Sequence, residues 1–457
     1  MFKQSNIHYA ESQDTQHKGD IMADAPQAIS KTTLGELTED YTLEPVPAHI
    51  NTTGLRVAMV ICAIGITLPA IWVSSDTAIN SGFLNANLGF WLGCGFVALL
   101  SLFTGIIGSR SRLSTYMIIQ FSFGKTGAKL ANILMAITLL GWYSVTCEVF
   151  GAALADGIKE LVGWEINIQV AVILSSILMT ATTIFGYAAV ERFSILSVPL
   201  LALFLFYIAY LAFTKMDAST VWEGGSQADT VMTLISINIG LSVLTAVLMP
   251  DFTRYCPNDK QSHIASLVGI GITFPLVMTV ASIPAIVTSQ ADITLIMIGM
   301  GVVFSALLVL VFATWSTNIT NLYSATLTLS TFMPKVPSWK ITLIGSAIAT
   351  AGAVAGVMDR YFTDFLIFIG IAATPLAAIY IVDFFLINKG DYTMTKLESL
   401  PAIGIPAIVA WVIASVFGYL SESQIMFLTP LSALDSLLVA AVCYYALAKT
   451  LPQKVIA

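Results

Sequence analysis

From residue 50 onward the chain alternates long apolar stretches with short polar linkers, and a stretch of about 20 apolar residues crosses a bilayer as a helix. Twelve such crossings are expected, at 55–79, 83–109, 130–157, 167–189, 193–214, 231–250, 264–288, 299–328, 341–357, 365–387, 401–419 and 428–448. The linkers leave no room for a sizeable soluble domain. The first 50 residues are polar and lack the charged start, apolar core and small-residue cleavage site of a secretory signal, so they are expected to form a flexible cytoplasmic tail. Segment 114–123, STYMIIQFSF, is apolar but too short to span, and is expected to lie along the inner surface. The pattern predicts an all-α polytopic membrane protein.

The first crossing breaks this regularity. Leu55 to Ile79 is long enough to span, yet carries Gly65 and Pro69 at its middle. A proline inside a helix removes a backbone hydrogen bond and clashes one turn back, and a nearby glycine loosens the same turn. In lipid the released groups need protein, water or ion partners. A break at mid-depth therefore points to a site for a cation and a polar substrate, the alternative being a proline kink held by neighbouring helices. The sixth crossing has a similar layout, with Gly240 near its middle and Pro250 later. Ile64-Gly65-Ile66-Thr67 is echoed by Ile239-Gly240-Leu241-Ser242. Interruptions at the first and sixth crossings are what two inverted five-helix repeats, 51–214 and 231–387, would produce, with two further helices in 401–448.

Polar residues inside the apolar stretches add candidate chemistry. The eighth crossing holds the densest run, Ala313 to Asn321. Ala313, Ser316, Thr317 and Thr320 follow i, i+3, i+4, i+7 spacing, with Thr314, Asn318 and Asn321 forming a second stripe. Hydroxyls and a carbonyl suit a hard cation, whereas an amide both donates and accepts hydrogen bonds. The alternative is simple gluing of helices. In the third crossing Trp142 lies at mid-depth, away from the interface where Trp usually sits, and could act as a stacking platform or as packing. Leu139, Trp142 and Thr146 share a face; Glu148 points elsewhere. An acid in a membrane helix is a functional candidate by default, the alternative for Glu148 being a carboxyl bonded to a neighbouring helix. Asp251, Arg254 and Asp383 fall near the inner boundary, as solvated helix-end or gate residues, and the acidic loop 215–230 reads as solvated.

Composition agrees with this assignment. The 457 residues are 57% hydrophobic and 10% charged, with mean hydropathy +0.84. The net charge of −7 says little about partners, and nucleic acid is not expected among them. Of the 20 basic residues only Lys159, Lys215 and Arg360 fall on the outer side, which places both termini in the cytoplasm. Cys62, Cys94, Cys147, Cys256 and Cys443 lack metal-ligand spacing and read as small core residues. An intramembrane enzyme would want paired acids, a Ser/His or Ser/Lys pair, or metal-binding histidines at depth; His8, His17, His49 and His263 all lie outside the expected core, so that class is disfavoured.

The sequence resembles the nucleobase:cation symporters, the cytosine and purine permease group that shares the leucine-transporter fold with the bacterial hydantoin transporter. The likeness rests on Glu44-Pro45-Val46-Pro47, the Arg-rich turn before Phe121-Ser122-Phe123-Gly124, Gly141-Trp142, Asp251-Phe252 with Arg254, Trp315-Ser316-Thr317-Asn318 and Asp383, in that order. It implies a sodium ion held by the carbonyls of Ala63, Ile66 and Ala313 and the hydroxyls of Ser316 and Thr317. It also implies a substrate stacked on Trp142 and bonded by Asn318, with Thr67 lining the same pocket and Leu139, Thr146, Gly240, Ser242 and Asn321 nearby. The chain departs from the cytosine permeases at Leu139, where they carry glutamine, and at Ser242, where they carry an aromatic residue. A purine, hydantoin-like or vitamin-precursor ring is therefore as plausible as cytosine.

The expected function is import of a nucleobase or related heterocycle with a cation, Na+ by this reading, through alternating access in the bacterial inner membrane. No enzyme activity and no bound cofactor are expected, and the chain is expected to work as a monomer. The alternatives are an amino-acid or other small-solute symporter of the same fold, and proton coupling through Glu148. A channel is a more distant one.

Overall fold

The computed structural model describes Tyr41 and residues 43–185, 187–215, 218–222, 230–291, 295–297, 300–301, 303–330 and 332–451. The tail up to residue 40, and Asp217, Glu223 and Asp229 of the acidic loop, lie outside the described residues. Every extended element among the described residues is a helix.

The first apolar stretch folds as two helices, α1 (Gly54–Gly65) and α2 (Leu68–Ser81), bent by 60°. Helical bonding ends where Ile66 N–H reaches the Cys62 carbonyl at 3.0 Å. Thr67 is extended (φ −126°, ψ 153°), and its hydroxyl accepts from Ala70 N–H at 3.2 Å, capping α2. Pro69 falls in the first turn of α2, where its missing N–H has no intrahelical partner to lose. Proline here starts a helix instead of interrupting one.

Then follow α3 (Phe83–Ser111), α4 (Thr115–Phe123), α5 (Ala128–Val162), α6 (Ile168–Thr183) and α7 (Tyr187–Lys215). After a short 3-10 turn come α8 (Val231–Val247), α9 (Met249–Thr253) and α10 (Asp259–Ser266), the last running through a π-helical stretch into α11 (Phe274–Thr288). The chain closes with α12 (Val303–Ser330), α13 (Ser338–Val354), α14 (Val357–Val382), α15 (Met394–Glu398), α16 (Ile405–Glu422) and α17 (Ser432–Thr450). Each expected crossing coincides with one of these helices or with two in series. Six described helices are by length and composition able to cross a membrane, or seven if the bent pair is one span. Large apolar side chains such as Leu99, Leu178, Ile348 and Val442 remain exposed on their outer faces, as contact with lipid requires.

Three expectations need correction. The sixth crossing does not break at Gly240: α8 is continuous through it, and the interruption comes at Leu248 (φ −91°, ψ 4°), ahead of Pro250 in the first turn of α9. Gly240 instead lets α14 approach, since a Cβ there would lie 3.3 Å from the Leu366 carbonyl oxygen. Segment 114–123 does form a helix too short to span, but α4 is buried instead of lying along a surface. Asp251 Oδ1 accepts from Thr115 N–H at 2.7 Å at its start, Gly404 N–H donates to Phe123 O at 2.6 Å at its end, and Phe121 stacks on Tyr392 at 3.8 Å.

Finally, Asp251, Arg254 and Asp383 are not solvated. Arg254 is fully buried and donates to Tyr323 Oη at 2.9 Å, Tyr255 Oη at 3.2 Å and the Tyr41 carbonyl at 3.0 Å. Asp383, also fully buried, accepts from Asn388, Tyr392 and Tyr444. Buried charges persist only with such partners.

Candidate functional site

The break between α1 and α2 faces a cavity of about 50 Å³, walled by α5, α8, α11 and α12. Space of that size admits a few water molecules. Its apolar walls are Ile64, Leu139, Trp142, Leu241, Leu244, Leu248, Phe252, Phe274 and Met278, and its polar side chains come from the first, third, sixth and eighth crossings. Trp142 meets Phe365 of α14 edge-on, with centroids 5.7 Å apart at 65°. Phe274 lies directly against Gly65, so its ring covers the break.

Many of the expected site residues are brought together here. Thr67, Leu139, Trp142, Thr146, Ser242, Thr317 and Asn321 all line the cavity. Thr317 Oγ1 donates to the Ala63 carbonyl at 2.9 Å, joining the eighth crossing to the last turn of α1. Ser316 and Ile66 are fully buried beside these two, and Ala313 lies in α12 one turn earlier, with its side chain outside the described set.

Asn318 is not brought to the cavity. It is fully buried against α5 and α6, where Nδ2 faces the Tyr143 carbonyl at 3.2 Å, Cys147 Sγ at 3.1 Å and Met179 Sδ at 3.4 Å. The second stripe therefore divides: Asn321 joins Thr317, Thr320 and Ser324 on the cavity wall, while Asn318 turns outward. Gly240 is also off the wall. Glu148 lies outside the cavity lining, beside Gly356 between α13 and α14.

Most hydroxyls on the wall are already engaged. Thr146, Ser242 and Thr320 donate to the carbonyls of Trp142, Asn238 and Ser316 in their own helices. Thr67 caps α2 and Thr317 reaches Ala63. Thr245, Asn321 and Ser324 make no hydrogen bond within the described residues, so the cavity offers one amide and two hydroxyls to a guest. Sequence reasoning missed Thr245, Ser324, Phe252 and Phe274. Ser324 was reachable, because it extends the spacing Thr317, Thr320, Asn321 by one more turn.

A bundle of membrane helices whose first crossing is broken beside a buried, aromatic-walled cavity with hydrogen-bonding groups has the architecture of the leucine-transporter fold. Two solved structures share that fold. Mhp1, a nucleobase-cation-symport-1 family transporter in a closed conformation with bromovinylhydantoin bound, superposes with TM-score 0.78 at 19% identity, covering 90% of this chain and 96% of that one. A Na+-coupled sialic acid symporter gives 0.67 at 11% identity, covering 89% and 91%.

Residues 45–445 match the family described as permease for cytosine/purines, uracil, thiamine, allantoin, and the chain belongs to that family. Among its relatives, the cytosine permease of Escherichia coli is 25% identical over 380 residues, 82% of this chain and 88% of that protein. The hydantoin permease of Microbacterium maritypicum is 23% identical over 429 residues, 84% and 86%. The protein is thus an integral, multi-pass membrane permease.

Proposed function

We propose that this permease imports a nucleobase or related planar heterocycle together with a cation, Na+, by alternating access. The observation that carries the reading is the Thr317 hydroxyl meeting the Ala63 carbonyl at the helix break, on the wall of the cavity that Trp142 lines. Two oxygens of different crossings are already adjacent there, with no charged side chain on the cavity wall. That donor set suits a hard monovalent cation. In the bound state the Thr317 lone pairs and the Ala63, Ile66 and Ala313 carbonyls face the ion, with Ser316 completing the set. Ion binding would hold the break in shape and so favour the heterocycle, which stacks on Trp142 and is read by Asn321. A heterocycle is larger than the cavity as it stands, so Phe252, Phe274 or Phe365 must swing aside on entry.

Coupling of the two bound species lets the cation gradient drive uptake, as one group of helices moves against the other. The protein works as a monomer in the bacterial inner membrane with both termini in the cytoplasm. Proton coupling through Glu148 is the competing scheme.

Uptake of radiolabelled cytosine, uracil, hypoxanthine and hydantoin by cells expressing the protein, with and without sodium, tests the proposal. At least one is expected to enter only with sodium, to lose that dependence in the Ser316→Ala/Thr317→Ala double variant and to keep it in Glu148→Gln. Sodium dependence that survives the double variant would falsify the ion site. Uptake that needs no sodium and disappears in Glu148→Gln would establish the proton scheme instead.

A further inference from the structure

We infer that Ser324 is a specificity-determining residue, selecting substrates with a second hydrogen-bonding group about one helical turn beyond the group held by Asn321. This rests on the proposed reading of the cavity as a heterocycle site. Ser324 lines the cavity, is 1% exposed, and its Oγ is buried without any hydrogen-bond partner. Serine in a helix ordinarily donates to the carbonyl three or four residues back, and Ser242, Thr320 and Thr328 all do so here. Ser324 does not. A buried hydroxyl left unpaired destabilises the folded chain, and one aimed at a cavity gains its bond when a guest supplies the partner.

The spacing defines that guest. Asn321 and Ser324 stand at i and i+3 on α12, so they face the same side about 5–6 Å apart. The polar atoms at the rim of a single six-membered ring lie closer together than this spacing, so a ring bonded squarely by Asn321 meets Ser324 with poorer geometry. A fused bicyclic ring, or a single ring with a short polar arm, carries a polar group far enough along the wall to serve both. The shared chemistry is a planar heterocycle with hydrogen-bonding atoms at both ends. Trp142 and the apolar wall contribute stacking that is indifferent to this second group, so Ser324 acts on discrimination more than on overall affinity.

Two matched pairs test the inference: hypoxanthine against 4-pyrimidinone, which shares its lactam ring, and 5-hydroxymethyluracil against uracil. Binding to the purified full-length protein is measured by calorimetry, beside thermal unfolding without ligand. In at least one pair the wild type is expected to favour the longer member about tenfold, and Ser324→Ala to erase that preference, as loss of one hydrogen bond implies. Which pair responds separates a fused ring from a polar arm. The ligand-free Ser324→Ala protein should unfold at the same or a higher temperature, because an unpaired buried hydroxyl has been removed. A preference that survives the substitution, equal binding of both members by the wild type, or a lower unfolding temperature with proportional loss on all four compounds overturns the inference. If the wild type binds none of the four, the heterocycle reading fails and the inference fails with it.

Discussion

Gly65 is where backbone geometry and the cavity meet, and Gly65→Ala is the perturbation with the best-defined consequence. A Cβ at this position would lie 2.1 Å from Phe274 Cδ1 and 2.3 Å from Cε1. Ordinary contact begins near 3.4 Å, so the ring must retreat by about 1.3 Å, the difference between those distances. It has little room on the protein side, being 4% exposed. Overpacking of this kind costs about 1–3 kcal/mol. The open direction is the cavity itself, which Phe274 lines, so the displaced ring consumes space that a substrate needs. The expected result is a lower unfolding temperature in detergent together with a loss of substrate binding larger than the stability loss alone would cause. Phe274→Ala in the Gly65→Ala background removes the clashing atoms from Cγ outward, so the double variant should be less destabilised than the sum of the two single ones, a non-additive coupling of at least about 1 kcal/mol in a double-mutant cycle. If Gly65→Ala unfolds with the wild type, or if the two substitutions simply add, the ring does not rest on the break and the account given for Gly65 is wrong.

Two further substitutions probe separate parts of the molecule. Asn321→Ala is expected to weaken heterocycle binding about tenfold with little effect on stability, whereas Asn318→Ala should lower the unfolding temperature by stripping contacts to Tyr143, Cys147 and Met179, its effect on binding being secondary. Equal and opposite behaviour of the pair in a titration and melting series would reverse the two assignments. The Arg112 side chain holds the segment before α1, donating to the carbonyls of Val46 (2.7 Å), Pro47 (2.9 Å) and Ile50 (2.6 Å) and to Asn51 Oδ1 (3.0 Å). Arg112→Ala should therefore speed amide hydrogen exchange at residues 46–52 selectively, and unchanged protection there would show that the segment is held by something else.

Much of this protein was legible in its sequence, for a simple reason. A bilayer offers no hydrogen bonds, so crossings must be apolar and helical, and any glycine, proline or polar cluster at depth stands out against that background. The break at Gly65 and Pro69 and the mid-depth placement of Trp142 follow from residue type and helical spacing, whereas the pairing of Thr317 with the first crossing came from the family resemblance. The likeness carried by Gly141-Trp142 and Trp315 to Asn318 led to the same family as the match over residues 45–445.

What the sequence did not decide was orientation about each helix axis and the depth of burial at the inner end. Asn318 and Asn321 differ by three residues, and the spacing rule allowed either to face the cavity. Packing of α12 against α5 and α6 turned Asn318 to the sulfurs of Cys147 and Met179 and left Asn321 on the wall. Gly240 looks in the sequence like a second Gly65, yet one glycine admits an aromatic ring at a break and the other admits a neighbouring helix. Asp251, Arg254 and Asp383 read as solvated charges because partners such as Thr115, Tyr323 and Tyr444 come from other parts of the chain. Local pattern determines where a helix runs and where it breaks; which of its side chains meet a neighbour, a cavity or lipid is set by close packing against segments distant in the chain.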